Sequence, residues 1–171
     1  CYTVERFADK NERELCLPPL PEKEKRSAWI GQYWGKEAFL FIGASGIAVR
    51  LIAPWVKDKF TDSPVLVMDE RAEYVIPLLS GHVGGAVEIA REIAGSVGAK
   101  PVITTATDVE QVFAVDVFAA DNRLRIGNRT TAKQISAALL DGKCVGFYAE
   151  YPWQGTFPDR LRLCGSKSEL E

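Results

Sequence analysis

The uncharged stretch Ala38-Phe39-Leu40-Phe41-Ile42-Gly43-Ala44-Ser45-Gly46 leads into Ile47, Leu51, Ile52 and Trp55, which recur at helical spacing. A continuous apolar run of strand length closed by glycine describes a strand buried on both faces, and the recurrence after it describes an amphipathic helix. Ser45 stands where an N-cap would sit, and Pro54 should end the helix. A buried strand, a glycine turn and a helix form the first half of a βαβ unit.

The rhythm continues outward from this stretch. Val65-Leu66-Val67-Met68-Asp69 and Tyr74-Val75-Ile76-Pro77-Leu78-Leu79 read as strands, the second confined to an edge or cut short by Pro77. Gly84 to Val97 is an amphipathic helix with Val87, Ala90, Ile93, Ala94 and Val97 on one face and Gly98 as its C-cap. Pro101-Val102-Ile103-Thr104-Thr105 reads as a fourth strand, followed by helices near 112–120 and 130–140 and a strand Cys144-Val145-Gly146-Phe147-Tyr148. Upstream, Tyr2-Thr3-Val4 suits a strand, Ser27 to Trp34 a short helix, and most of the Pro-rich, charged remainder a loop. The segment after Glu150 is turn-rich. The expected class is α/β: a Rossmann-like, mostly parallel sheet with helices on both faces, plus a small additional lobe. In such a sheet ligands bind beyond the carboxyl ends of the strands.

With 171 residues, 47% hydrophobic and 26% charged, the chain has the balance of an ordinary globular protein. Its net charge of −2 supplies no field that would draw in nucleic acid or an anionic membrane, so an anion site must be local. Cys1, Cys16, Cys144 and Cys164 form no C-x-x-C pair, which points away from zinc and disulfide frameworks and toward a reducing cytoplasm. No apolar run reaches membrane-spanning length. The start at Cys1 rather than Met reads as a trimmed beginning.

Two glycine-bearing turns are the expected ligand-facing rim. The first, Gly43-Ala44-Ser45-Gly46, would aim backbone N–H groups and a helix N-terminus at an anion or oxyanion. It lacks the spacing of a dinucleotide site or a P-loop, and turn tightness alone would also explain its glycines. The second, Ser80-Gly81-His82-Val83-Gly84-Gly85, holds the single histidine of the chain, a group able to take or give a proton near neutral pH or simply to fill a structural place. Arg50, Lys57, Asp58 and Lys59 follow the first turn, as carboxylate partners or as solvated charge. Thr104-Thr105-Ala106-Thr107-Asp108 brings hydroxyls and a carboxylate to the same edge, although Asp108 would serve equally as an N-cap. The signatures of the common serine hydrolases and zinc proteases are missing.

Taken in order, residues 41–54, Lys57-Asp58-Lys59, residues 78–86 and residues 104–108 resemble the CbiG family of cobalamin biosynthesis. The likeness is strong over 38–108 and looser from Val112 to Glu150. It implies an N-terminal-like α/β domain over 1–122 whose first strand would precede Cys1, a middle-region segment over 123–171, and a C-terminal domain beyond this chain. It further implies a cobalt-precorrin-5A hydrolase, which opens the δ-lactone of a cobalt corrinoid and releases acetaldehyde to give cobalt-precorrin-5B. Cobalt would enter with the substrate, so neither a cofactor nor a protein-bound metal is expected, while other pathway enzymes or fused domains are possible partners. For this chemistry His82, Ser45 and Asp108 are the catalytic candidates, with His82 as base. Gly43, Ala44, Gly46, Arg50, Lys57, Ser80, Gly81, Gly84, Gly85, Thr104, Thr105 and Thr107 are the substrate-binding candidates. The competing readings are a lobe that binds corrinoid or a partner without catalysis, and an unrelated Rossmann-like nucleotide binder.

Overall fold

The computed structural model describes residues 1–3, 18–154 and 156–170. Val4 of the expected first strand and Gly155 of the turn-rich segment lie outside the described residues. Of Tyr2-Thr3-Val4, Thr3 forms an isolated parallel bridge with Pro19. Helix α1 (Arg26–Tyr33) precedes strand β1 (Phe39–Ile42), helix α2 (Ser45–Ile52), strand β2 (Val65–Met68) and strand β3 (Tyr74–Leu79). Helix α3 (Ala86–Val97), strand β4 (Lys100–Pro101) and helices α4 (Ala106–Val109), α5 (Val115–Asp121) and α6 (Arg129–Leu140) follow. Strands β5 (Val145–Phe147) and β6 (Leu161–Leu163) follow, and a single turn of 3-10 helix over Lys167–Leu170 closes the order.

Four strands make one sheet in the order β1-β2-β3-β4. The β1–β2 and β3–β4 pairs are parallel, but β3 runs antiparallel to β2, so the sheet reverses at its centre. Five residues separate Met68 from Tyr74, far fewer than the dozen or so a parallel crossover requires. The Asp69 carboxylate closes this hairpin by accepting the N–H groups of Arg71 (2.9 Å), Glu73 (2.9 Å) and Tyr74 (2.6 Å).

Pro77 limits the sheet as its chemistry demands. Val102 N–H donates to Val75 O at 2.8 Å, and the parallel pattern would next have residue 77 donate back, but proline has no N–H. The fourth strand therefore ends at Pro101 instead of extending to Thr105. Leu78 is an extra residue in the β2–β3 register, where Leu66 faces Pro77 and Val65 faces Leu79.

The two faces have separate cores. On one, Ala86, Ala90 and Ala94 of α3 lie on Leu66, Met68 and Val75, their small side chains bringing helix and sheet close. Val97, expected on that face, is half exposed because the helix ends past the sheet. On the other face, Ile30, Ile52 and Val65 gather Trp29, Trp34, Phe39, Phe41, Trp55, Leu78 and Leu79. Trp55 passes so close to α1 that a Cβ on Gly31 would stand 2.3 Å from its ring. Helix α2 ends ahead of Pro54, as its sequence requires, but its N-cap is Ala44 rather than Ser45, whose hydroxyl makes no capping bond. Helix α6 is capped by Asn128, which accepts the N–H groups of Thr130 and Thr131, each at 3.0 Å.

Strand β5 does not join the main sheet; it pairs in parallel with β6. Phe113, Phe118, Phe147, Trp153 and Phe157 pack ring against ring beneath this small sheet. The loop 57–62 reaches across to this part of the chain, where the Arg129 guanidinium lies 3.8 Å over the Phe60 ring.

Candidate active site

The reversal at β3 divides the expected rim. Gly43 follows Ile42, which pairs with Met68, whereas Ser80 follows Leu79, which faces Val65 at the other end of β2. The two turns therefore lie at opposite ends of the sheet, roughly 16 Å apart along the strands from the rise per residue. Gly43, Ala44, Ser45, Gly46 and Arg50 share no site with His82; Arg50 turns back to donate to Gly46 O at 2.9 Å. The separation follows from the short hairpin, which the rule for an all-parallel sheet does not anticipate.

At the Ser80 end the chain bends sharply. Ser80 takes a left-handed backbone (φ 55) and buries its hydroxyl in a 2.9 Å bond to Asp62 O, a contact that holds the turn. A Cβ on Gly84 would lie 2.5 Å from Ser80 Cβ and 2.8 Å from Ser80 O, which leaves glycine as the residue that fits. Gly85, at φ 81, is the N-cap of α3. Among the described residues, the N–H groups of Gly81, His82, Val83 and Gly84 meet no acceptor. These amides belong to the turn, since the first N–H groups of α3, on Ala86 and Val87, are given to Ser80 O and Gly81 O; free turn amides suit an oxyanion or carboxylate.

The turn places His82 between two carboxylates. Its Nε2 is 2.6 Å from Asp108 Oδ2 in a hydrogen bond, and its Nδ1 is 3.3 Å from Asp116 Oδ1 in an ion pair. The three side chains are only 12%, 17% and 20% exposed, so water screens the contacts poorly. Asp116 raises the imidazole most, burial opposes the rise, and Asp108 adds to it, leaving the pKa at about 9. At neutral pH this shift favours the imidazolium, the form that donates a proton. The expected base would have to act from the neutral ring, whereas the charged ring is suited to donate.

The carboxylates are secured in turn. Asp108 Oδ1 accepts Arg91 Nη2 at 2.9 Å, and its Oδ2 also accepts the Thr105 hydroxyl. Burial works to raise the Asp108 carboxyl, but Thr105, His82 and Arg91 outweigh it and hold the group below its ordinary value. Asp116 is lowered chiefly by His82 and also by Lys59, 3.6 Å away. Asp108 lies inside the short helix α4, whose N-cap is Thr105, so the N-cap reading of Asp108 is set aside.

A cleft of about 280 Å³ opens beside the histidine, lined on its polar side by Lys59, Ser80, Gly81, His82, Thr104, Thr105 and Asp116. Thr107 stays out of it. Lys57 is exposed and serves the loop, its N–H donating to Asp62 Oδ2 at 2.8 Å, so the lysine that reaches the site is Lys59. Asp116 and Arg91 escaped the sequence reading. Asp116 had one visible signal, as the single charge in the apolar run from Val112 to Ala120.

Comparison with known proteins bears on this arrangement. A model described as cobalamin synthesis G N-terminal matches residues 28–108, and one described as cobalamin biosynthesis central region matches 113–167. The cobalt-precorrin-5A hydrolase of Salmonella typhimurium is 45% identical over 128 residues, covering 74% of this chain and 35% of that protein. The enzyme of the same name from Priestia megaterium is 50% identical over 82 residues, 48% of this chain and 22% of its own length. A crystal structure of a cobalamin biosynthesis protein G homolog from Sulfolobus solfataricus superposes with a TM-score of 0.50 at 27% identity, covering 82% of this chain and 47% of the other. The chain thus spans about a third or less of the length of these curated relatives. His82 and Asp108 fall within the first matched segment and Asp116 within the second.

Proposed function

The chain belongs to the CbiG family, and on that premise we propose that it opens the δ-lactone of cobalt-precorrin-5A and releases acetaldehyde, giving cobalt-precorrin-5B in cobalamin biosynthesis. The observation that carries the reading is the His82 imidazolium, held between Asp108 and Asp116 beside the free amides of Gly81 to Gly84. Water adds to the lactone carbonyl carbon, and the amides steady the oxygen as it becomes anionic. The ring C–O bond breaks, the released alkoxide takes the His82 proton, and the proton shed by the water restores the imidazolium. The freed hydroxyl then gives up its proton to solvent and becomes a carbonyl as the adjoining carbon–carbon bond breaks, the bond's electron pair passes into the macrocycle, and acetaldehyde departs.

A cleft of about 280 Å³ is at the lower limit of pockets that enclose a drug-sized ligand. It fits the lactone limb, leaving the macrocycle across the rim, where Lys59 is placed to meet a peripheral carboxylate. Cobalt arrives as part of the substrate. Hydrolysis consumes only water, and the role proposed for the chain needs no cofactor of its own. Among the described residues no helix is long and apolar enough to cross a membrane, and we place the protein in the cytoplasm with the other enzymes of the route.

The rival reading is a lobe that holds the corrinoid while chemistry needs the remaining length of the relatives. Incubating the chain with authentic lactone and assaying acetaldehyde separates the two. Release at a catalytic rate supports hydrolysis, and corrinoid binding without acetaldehyde supports the rival.

A further inference from the structure

Asp116 lies in the second matched segment, yet its carboxylate faces the histidine of the first. We propose that Asp116 is a positioning residue: it holds His82 by Nδ1, leaves Nε2 to Asp108, and thereby makes the two segments of the chain one functional unit. Three observations support this beyond the contact itself. Asp116 stands in the first turn of α5, amid an apolar run whose Phe118 packs into the aromatic cluster, so its backbone is set by the second segment's own core. Lys59, from the loop that crosses from the sheet, pairs with its other oxygen at 3.6 Å. Both ring nitrogens of His82 thus have a carboxylate, an arrangement that fixes the ring's orientation as well as its charge.

The groups facing His82 come from every neighbouring element. Asp108 is on α4 and Asp116 on α5, Arg91 of α3 stands behind Asp108, and Lys59 stands behind Asp116. Glu88 is further out, paired with Arg91. Each of the two basic groups pairs with the carboxylate oxygen that His82 does not use. The carboxylates therefore dominate what the ring feels, consistent with its upward shift.

His82 is the sole histidine of the chain, so NMR titration of its imidazole reads this contact without ambiguity. The titration needs no substrate; the consequence for turnover rests on the lactonase reading. In Asp116→Asn the midpoint near 9 falls toward the ordinary 6.5, a loss of about tenfold or more in proton affinity, as removal of an adjacent opposite charge requires. Asp116→Glu, which keeps the charge, recovers most of it. The thermal transition of each variant confirms that the fold is intact. A midpoint unmoved in folded Asp116→Asn overturns the proposal, and so does a midpoint that falls equally in Asp116→Glu. If the midpoint moves as stated while wild type releases no acetaldehyde, the positioning role stands and the proposed reaction fails.

Discussion

At the residue scale, His82 owes its charge to neighbours that no local sequence rule connects. Asp108 lies 26 positions downstream and Asp116 eight further on, and both reach the ring because α4 and α5 fold back over the Ser80 turn. That turn depends on Gly84, where an added methyl would strike both the backbone and the side chain of Ser80. Gly84→Ala should therefore destabilise the fold by about 1–3 kcal/mol, the usual cost of overpacking, read as a lowered denaturation midpoint at unchanged slope. The same substitution at Gly95, where nothing lies within 4 Å, should leave the midpoint unchanged or raise it. The Ser80–Gly85 turn was legible in the sequence as a candidate site, because it sets the single histidine between a strand end and a helix, although a structural histidine fitted that pattern equally well. The identity of Asp116 was not, because a single carboxylate in an apolar helix gives no sign of which group it will face.

At the element scale, the decisive feature is the hairpin between β2 and β3. The individual strands, the halt before Pro54 and the Gly98 cap all follow from residue type and spacing. Strand direction does not, because buried parallel and antiparallel strands carry the same apolar run. The five-residue span from Asp69 to Glu73 was the available clue, since a connection of that length can only be a hairpin. Its reversal sends the Gly43 turn to the far end of the sheet and removes Ser45 and Arg50 from the histidine site. Asp69 accepts three backbone N–H groups in that hairpin. Asp69→Ala should lower the denaturation midpoint, since three hydrogen bonds to one carboxylate are lost together, and hydrogen exchange at Arg71, Glu73 and Tyr74 should quicken. Unchanged exchange at those amides would show that the loop is held by other means.

At the scale of the whole molecule, the α/β class with helices on both faces was readable from the alternation of strands and helices, whereas the joining of the two family segments through one histidine was not. That junction makes stability depend on pH. The folded imidazole titrates at about 9 against 6.5 for an ordinary histidine, so its contribution is fully present below 6.5 and is lost as pH rises through 9. Asp108 and Asp116 are lowered, so theirs is present above the ordinary carboxylate range and is lost on acidification below about 4. The melting temperature should accordingly hold a plateau between about pH 4 and 6.5 and decline on both sides. In His82→Gln the alkaline decline up to pH 9 should disappear, and its persistence would assign it to other groups.

The central claim is that the proton passed to the opening lactone comes from His82. Its most direct test compares the initial rate of acetaldehyde release from authentic cobalt-precorrin-5A lactone by wild type and by folded His82→Gln, at pH 7 and saturating substrate. The rate should fall by about 10²–10⁴-fold, the range for loss of a positioned proton donor, with corrinoid binding retained. An undiminished rate in the variant would contradict the assignment.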